Sequence, residues 1–453
     1  MNKKTQIAYV PIGVGTFHLE SAQKAFESSC ALLKELSLKS EAELKAPEKM
    51  LLTIEDLTSY LENLTPDLIV LQNVTFANAA YASEVLRRFS CPILLWTLRE
   101  PVIDGGRLRL NSLTGAFSAG NAIKEFRGTD YKFEYVFGSP EEEKVRNQID
   151  KTIRAAVLRI QLKNARLSAV GHTPQGFGFG RALDADMARV FGTTLISIEA
   201  RELINKAKNY SMDECSEYLE RAKKYLVGLE NTPKNNADDF IKLYKAYDTY
   251  VKENKINALA SRCWPDFFTD FGTPVCAVLS LLNAEGTVAS CESDTYGALS
   301  MFMCSTLTKN SSFFGDPVSM NEEENTITFW HCGMGACNLA RKDTGAAVGV
   351  HCNRKIGPTM EFGCKENEEA TIFRVGRKPD GTFRFFIASG KILDKPKQFN
   401  GTSLVVETKE NAEQIVKSAV KDGWEPHFVV AYGNVAEELE ILSRMLGIEV
   451  CKW

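Results

Sequence analysis

The chain has 453 residues, 44% of them hydrophobic and 25% charged, with a net charge of −4 and a pI near 5.9. That length exceeds one ordinary core and predicts two or three domains. The slightly acidic balance supplies no basic field for nucleic acid, and no apolar run is long enough to cross a bilayer. The twelve cysteines are scattered, several in apolar segments (Cys91, Cys276, Cys304), with no C-x-x-C pair. Reduced, buried thiols in a cytoplasmic protein are expected, and a zinc–thiolate site is not.

The start, MNKKTQIAYVPIGVG, has a short apolar part broken by Pro11 and Gly13 and predicts a first strand, Gln6 to Ile12, rather than a signal peptide. An amphipathic helix follows from Leu19 to Leu36. Leu68 to Gln72 is a short apolar strand, Ala79 to Phe89 a helix, and Cys91 to Trp96 another buried strand. This alternation predicts a Rossmann-like parallel sheet over residues 1–164. Next come Arg107 and Arg109 in GGRLRLNSLTGAF, with Asn111 and Ser112 at a helix start. A polar cluster at a helix N-terminus suits a hydroxylated or anionic ligand, and equally a capped helix with a solvated lead-in.

A second α/β domain, residues 165–307, is expected after the helix Arg154 to Asn164. Its strand Arg166 to Gly171 leads into HTPQGFGFGRALD, where His172 stands beside Gly176, Gly178 and Gly180. The spacing does not match G-x-G-x-x-G and there is no Walker lysine, so the loop reads as pocket lining. The strand Thr194 to Ile198 precedes a charged helical region, Ala200 to Asn254, read as solvated helix faces.

The chemistry concentrates between Arg262 and Leu307. Trp264-Pro265 punctuates a loop carrying Asp266 and Asp270, an apolar helix spans Thr273 to Leu282, and a short strand, Thr287 to Ser290, runs into Glu292 and Asp294. An extended backbone there would point both carboxylates the same way. Acids at the carboxyl end of a strand, before the buried helix Tyr296 to Leu307, stand where open α/β sheets place ligands. Convergent carboxylates raise a pKa or recruit a cation, although each alone also serves as a turn acid or cap.

Beyond Leu307 the strands shorten: Thr326 to His331, Ala346 to His351, Ala370 to Gly376, Thr382 to Ser389 and Thr402 to Glu407. They predict a β-rich, barrel-like domain over 308–453 that closes on the strand Phe428 to Tyr432, the helix Val435 to Leu446 and a last strand. Three of the five histidines, His331, His351 and His427, lie at strand edges in this part. Carboxylates with an imidazole and no paired cysteines form a donor set for Mn²⁺, Mg²⁺, Fe²⁺ or Co²⁺.

The motifs PIGVGTFHLE, GGRLRLNSLTG, AVGHTPQGF, CWPDF with CESDTYGALSM, WHCG and PHFVVAYGNVAEELEILSRMLGIEV resemble the L-fucose isomerase and L-arabinose isomerase family nearly end to end. The resemblance implies two Rossmann-like domains and one β-rich domain. It implies a cytoplasmic aldose–ketose isomerase that moves a proton through an enediol, with Mn²⁺, or another divalent ion such as Co²⁺ or Mg²⁺, as cofactor. Carried over, it assigns the metal to Asp266, Asp294 and His427, with Asp266 and Asp294 also as the acid/base pair. Glu292 competes with Asp294 for its place, and Asp266 stands where relatives carry a glutamate. His18, Arg107, Arg109, His172, Trp264, Glu292, His331 and His351 would contact sugar. The resemblance also implies a homo-oligomer, trimer or hexamer, whose active site lies between subunits, so that His18, Arg107 and Arg109 act in trans. A free hexose or pentose is the expected substrate. Arg99 and Arg262 open the alternative of a 6-modified anionic hexose such as a sulfo-sugar, although the reading favoured for both is as members of surface ion pairs, and a non-catalytic sugar-binding protein is the reading from another class.

Overall fold

The structure, a computed structural model, describes residues 4–453. The chain divides into two compact units: the first runs to Gln161 and takes in Glu437–Gly447, and the second comprises Leu162–Ala436 with Ile448–Trp453. The segments expected as second and third domains thus share one unit.

The first unit is built on a five-stranded parallel sheet in the order Glu43–Lys45, Gln6–Ile12, Leu68–Asn73, Ile93–Thr97, Glu134–Phe137. Its strands are apolar on both faces because helices cover both. Ile7, Tyr9, Leu68, Val70, Leu94 and Trp96 enter one core cluster, and Ala8, Val10, Ile69, Leu71, Ile93 and Leu95 the other. This is the period-two alternation of a doubly covered parallel sheet. The helix Ala436–Leu446 lends this unit Arg444, whose Nε and Nη2 lie 2.6 and 3.0 Å from the two carboxylate oxygens of Glu134.

In the second unit a four-stranded parallel sheet runs Val288–Cys291, Ala258–Ser261, Arg166–Val170, Thr194–Ile198. The β-rich part closes as the sequence predicts. Thr402–Thr408, Thr326–His331, Phe313–Asn321, Phe428–Tyr432, Asn367–Arg377 and Phe383–Ile392 pair antiparallel in that order, and the last returns to the first through Gly390↔Thr408, Lys391↔Glu407 and Ile392↔Val406. Closure of this antiparallel barrel leaves these six strands no free edge. The helix Thr295–Thr308 packs on both the parallel sheet and the barrel strands Asn367–Arg377 and Phe428–Tyr432. That contact brings acids from one element to histidines from the other.

The charged region after residue 200 departs from its expectation as solvated faces. Its last helix, Lys234–Asn254, buries Phe240, Ile241, Leu243, Tyr244, Tyr247, Tyr250 and Val251. An apolar stripe at three- and four-residue spacing runs beneath the charges. Among the described residues no helix is long and apolar enough to cross a membrane.

Candidate active site

Glu292 and Asp294 leave the strand Val288–Cys291 through a left-handed turn, not the extended backbone expected: φ is +59° at Glu292 and +56° at Ser293. Two consecutive side-chain-bearing residues in this region cost roughly 1–2 kcal/mol each, so the surroundings must hold them. Ser293 donates its N–H to Ser261 O (3.0 Å) and its hydroxyl to Gly171 O (3.0 Å), and the Asp294 N–H reaches Cys291 O (3.1 Å). Backbone strain held in this way is characteristic of functional sites. Asp294 then caps the helix Thr295–Thr308, accepting the Gly297 N–H at 2.8 Å.

The turn sends the two carboxylates to opposite nitrogens of one imidazole. His427, just ahead of the strand Phe428–Tyr432, has Nδ1 2.9 Å from Asp294 Oδ2 and Nε2 2.9 Å from Glu292 Oε2. Asp316, on the neighbouring strand, lies 3.5 Å from the same Nε2. Burial disfavours the imidazolium, but the bonds to Asp294 and Glu292 outweigh it and raise the His427 pKa to about 9. Asp294 is buried with Arg374, whose Nη1 and Nη2 lie 2.6 and 3.1 Å from its two oxygens. Desolvation opposes its charge, yet Arg374 and His427 hold its pKa well below the usual range. Glu292 is likewise lowered, its burial outweighed by the bond to His427 and the charges of both histidines. Asp316 is raised, chiefly by burial.

Glu292, His331 and His427 offer ligand atoms within 4.8 Å of one another, the one such group of metal-ligating residues among the described residues. His331 Nε2 is buried without a hydrogen-bond partner, and its Nδ1 accepts the Cys332 N–H at 3.0 Å. Coordination through Nε2 requires the ring hydrogen to move to Nδ1, against that N–H. With the hydrogen on Nε2, the same atom is a donor for a ligand oxygen. A carboxylate and imidazoles facing one space, one buried nitrogen without a partner, fit a divalent transition ion such as Mn²⁺. Phe314, Phe179 and Phe177 pack around His427 at 4.8, 5.4 and 6.2 Å between ring centroids.

The remaining expected residues distribute as follows. Asp294 and Asp266 fall outside the three-residue group. Arg374, Gly297 and His427 occupy the oxygens of Asp294, and Asp266 forms an ion pair with Arg262 Nε at 2.7 Å. Trp264 stands edge-on to Phe177 at 6.4 Å. His351 is buried against Phe268, and burial with the nearby Arg354 charge pushes its pKa down to about 4. His172 meets Arg181 at 3.3 Å in a cavity of about 280 Å³ at the sheet's carboxyl edge, which Ser293 and Thr295 also line. His18, Arg107 and Arg109 belong to the first unit, where Arg107 donates to Thr16 O (2.6 Å) and the His18 N–H to Arg109 O (2.9 Å). Arg99 is held by both oxygens of Glu142, at 3.0 and 2.9 Å.

Sequence reasoning missed Arg374 and Asp316. Arg374 left a signal: a lone arginine in the apolar strand TIFRVG implies a buried anion. Asp316 left none.

Residues 346–453 match the family model described as the C-terminal domain of L-fucose isomerase. Over 444 residues, 98% of this chain and 98% of the relative, the sequence is 61% identical to a sulfoquinovose isomerase of Clostridium sp. (strain MSTE9). It is 38% identical over 455 residues, 99% of each chain, to a sulfoquinovose isomerase of Priestia megaterium (strain ATCC 12872 / QMB1551). A third, from Alkalicoccus urumqiensis, is 35% identical over 447 residues, 98% of each chain.

Proposed function

The chain belongs to the fucose isomerase-like family and is a sugar aldose–ketose isomerase, and from that premise we propose that its substrate is sulfoquinovose, an aldose bearing a sulfonate. The observation that carries this reading is the 61% identity, over nearly the whole of both chains, to a protein of that specificity. It favours the sulfo-sugar alternative over the neutral hexose or pentose that the motif resemblance led us to expect.

Isomerisation moves one proton between C2 and C1 through an enediol, so the site must bind two adjacent sugar oxygens and supply a proton carrier. A divalent ion, Mn²⁺ by the donor set, would be held by Glu292 and His427 with His331 as the third donor. When bound, it supplies Lewis acidity toward the carbonyl and the neighbouring hydroxyl. Asp294 and Arg374 orient His427 from behind and fix which nitrogen faces the sugar. Asp316 carries the proton: it is the carboxylate beside His427 whose proton affinity is raised, and it is not committed to an arginine. The rings of Phe177, Phe179 and Phe314 keep water from the reacting carbons.

We further propose a homo-oligomer in which His18, Arg107 and Arg109 contribute to a neighbouring subunit's site, to be checked by light scattering and by complementation between inactive variants. The twelve cysteines are free, which supports a cytoplasmic setting.

The decisive experiment treats the protein with chelator, restores Mn²⁺, and follows sulfoquinovose in D₂O by NMR. Metal-dependent ketose with solvent deuterium at the exchanged carbon is expected. Ketose formed from neutral aldoses but not from sulfoquinovose would overturn the substrate. Full activity after exhaustive chelation would overturn the metal assignment.

A further inference from the structure

A sulfonate at the far end of a sugar needs a cation that nothing else neutralises. Arg99 and Arg262, the two singled out in the sequence, are engaged by Glu142 and Asp266. Arg354 is not. Its guanidinium carbon lies 5.3 Å from the Trp264 ring centroid and 4.9 Å from that of Phe268, and no carboxylate pairs with it among the described residues. Two aromatic faces hold the guanidinium in place and leave its N–H edge free for an anion.

The turn that carries it is pre-organised. The His351 N–H reaches Ile356 O (2.9 Å) and the Lys355 N–H reaches His351 O (2.8 Å). The buried His351 Nδ1 accepts the N–H groups of Asn353 and Arg354 at 3.3 and 3.4 Å. His351 is in turn set edge-on to Phe268, the second ring under Arg354. From Trp264 the path to the reacting end is aromatic: Trp264 touches Phe177, and Phe177 touches His427. One end of this run therefore holds the proposed metal and proton chemistry, and the other a fixed, unpaired cation.

We infer that Arg354, stacked on Trp264 and Phe268, is the anion-recognising residue of the substrate pocket and takes the sulfonate at the end of the sugar remote from the carbonyl. This rests on the sulfo-sugar reading above. The guanidinium presents two parallel N–H donors to two sulfonate oxygens, a geometry that an ammonium cannot copy. His351 is a positioning residue for that turn.

The test compares wild type, Arg354→Met and Arg354→Lys on sulfoquinovose and on the same sugar without its sulfonate, with Mn²⁺ affinity as a check that the site is intact. For Arg354→Met the kcat/KM on sulfoquinovose should fall roughly 10- to 100-fold, mostly through KM, so that the preference for the sulfonated sugar collapses. Arg354→Lys should recover only part of it. An equal loss on both sugars, or no loss, would overturn the assignment. So would a sulfonate-selective loss in Lys355→Gln or Arg181→Gln with Arg354→Met unaffected. A wild-type protein that isomerises only the sulfonate-free sugar would instead bring down the substrate reading itself.

Discussion

Arg374 grips Asp294 through two charge-assisted hydrogen bonds, 2.6 and 3.1 Å, with both side chains closed off from solvent. The pair joins a barrel strand to the cap of a helix rising from the parallel sheet, and Asp294 passes the constraint on to His427. Removing one member of such a pair leaves an uncompensated buried charge. Arg374→Leu should therefore cost about 3–5 kcal/mol, read as a lowered urea midpoint. In Asp294→Asn the additional loss from Arg374→Leu should be much smaller, and additive losses would mean that the two residues act independently.

Glu292 and Asp266 separate the two ways of assigning the metal. Glu292→Gln removes an acid from the group that His331 and His427 complete, and should weaken Mn²⁺ binding by more than ten-fold. Asp266→Asn removes a partner of Arg262 and should leave Mn²⁺ affinity within about two-fold. Isothermal titration of both variants decides. The reverse order would return Asp266 to the ligand set.

His351 makes stability depend on acidity. Its folded pKa of about 4 lies below the ordinary 6.5 because burial and Arg354 disfavour the imidazolium. Between those values the unfolded chain binds the extra proton, so stability from this group is complete above pH 6.5 and drains away as pH falls toward 4, by up to about 3 kcal/mol. His351→Gln should be less stable at pH 7 and lose less on acidification. Parallel stability profiles for the two proteins between pH 6.5 and 4 would contradict this.

Gly297 shows packing overriding propensity. In an exposed helix, Gly→Ala gains about 1 kcal/mol. Here the added methyl would lie 2.4 Å from the Phe314 ring and 2.8 Å from Asp294 Oδ2. Overpacking of this kind costs about 1–3 kcal/mol, so Gly297→Ala should lower the melting temperature, and activity more steeply, because Phe314 and Asp294 both touch His427. A raised melting temperature would show that the ring can yield.

What the sequence by itself determined was the run of elements and the chemistry they carry. Period two in Gln6–Ile12 and Leu68–Asn73 made buried parallel strands legible, and Glu292 and Asp294 announced a site because acids seldom follow an apolar strand without a use. Local patterns recur wherever burial is periodic, which is why five of the six barrel strands could also be read, whereas Phe313–Asn321, buried only over its first three residues, was not. Only the tertiary structure decided which atoms meet. The left-handed turn at Glu292 and Ser293 assigned each acid to a different ring nitrogen of His427, 135 and 133 residues further along the numbering. Packing of the helix Thr295–Thr308 on the strand Asn367–Arg377 brought Arg374 to Asp294, and pairing of Phe313–Asn321 with Phe428–Tyr432 brought Asp316 to His427. Those partners depend on how the helix Thr295–Thr308 seats between sheet and barrel, a packing outcome summed over many weak contacts that no local periodicity encodes.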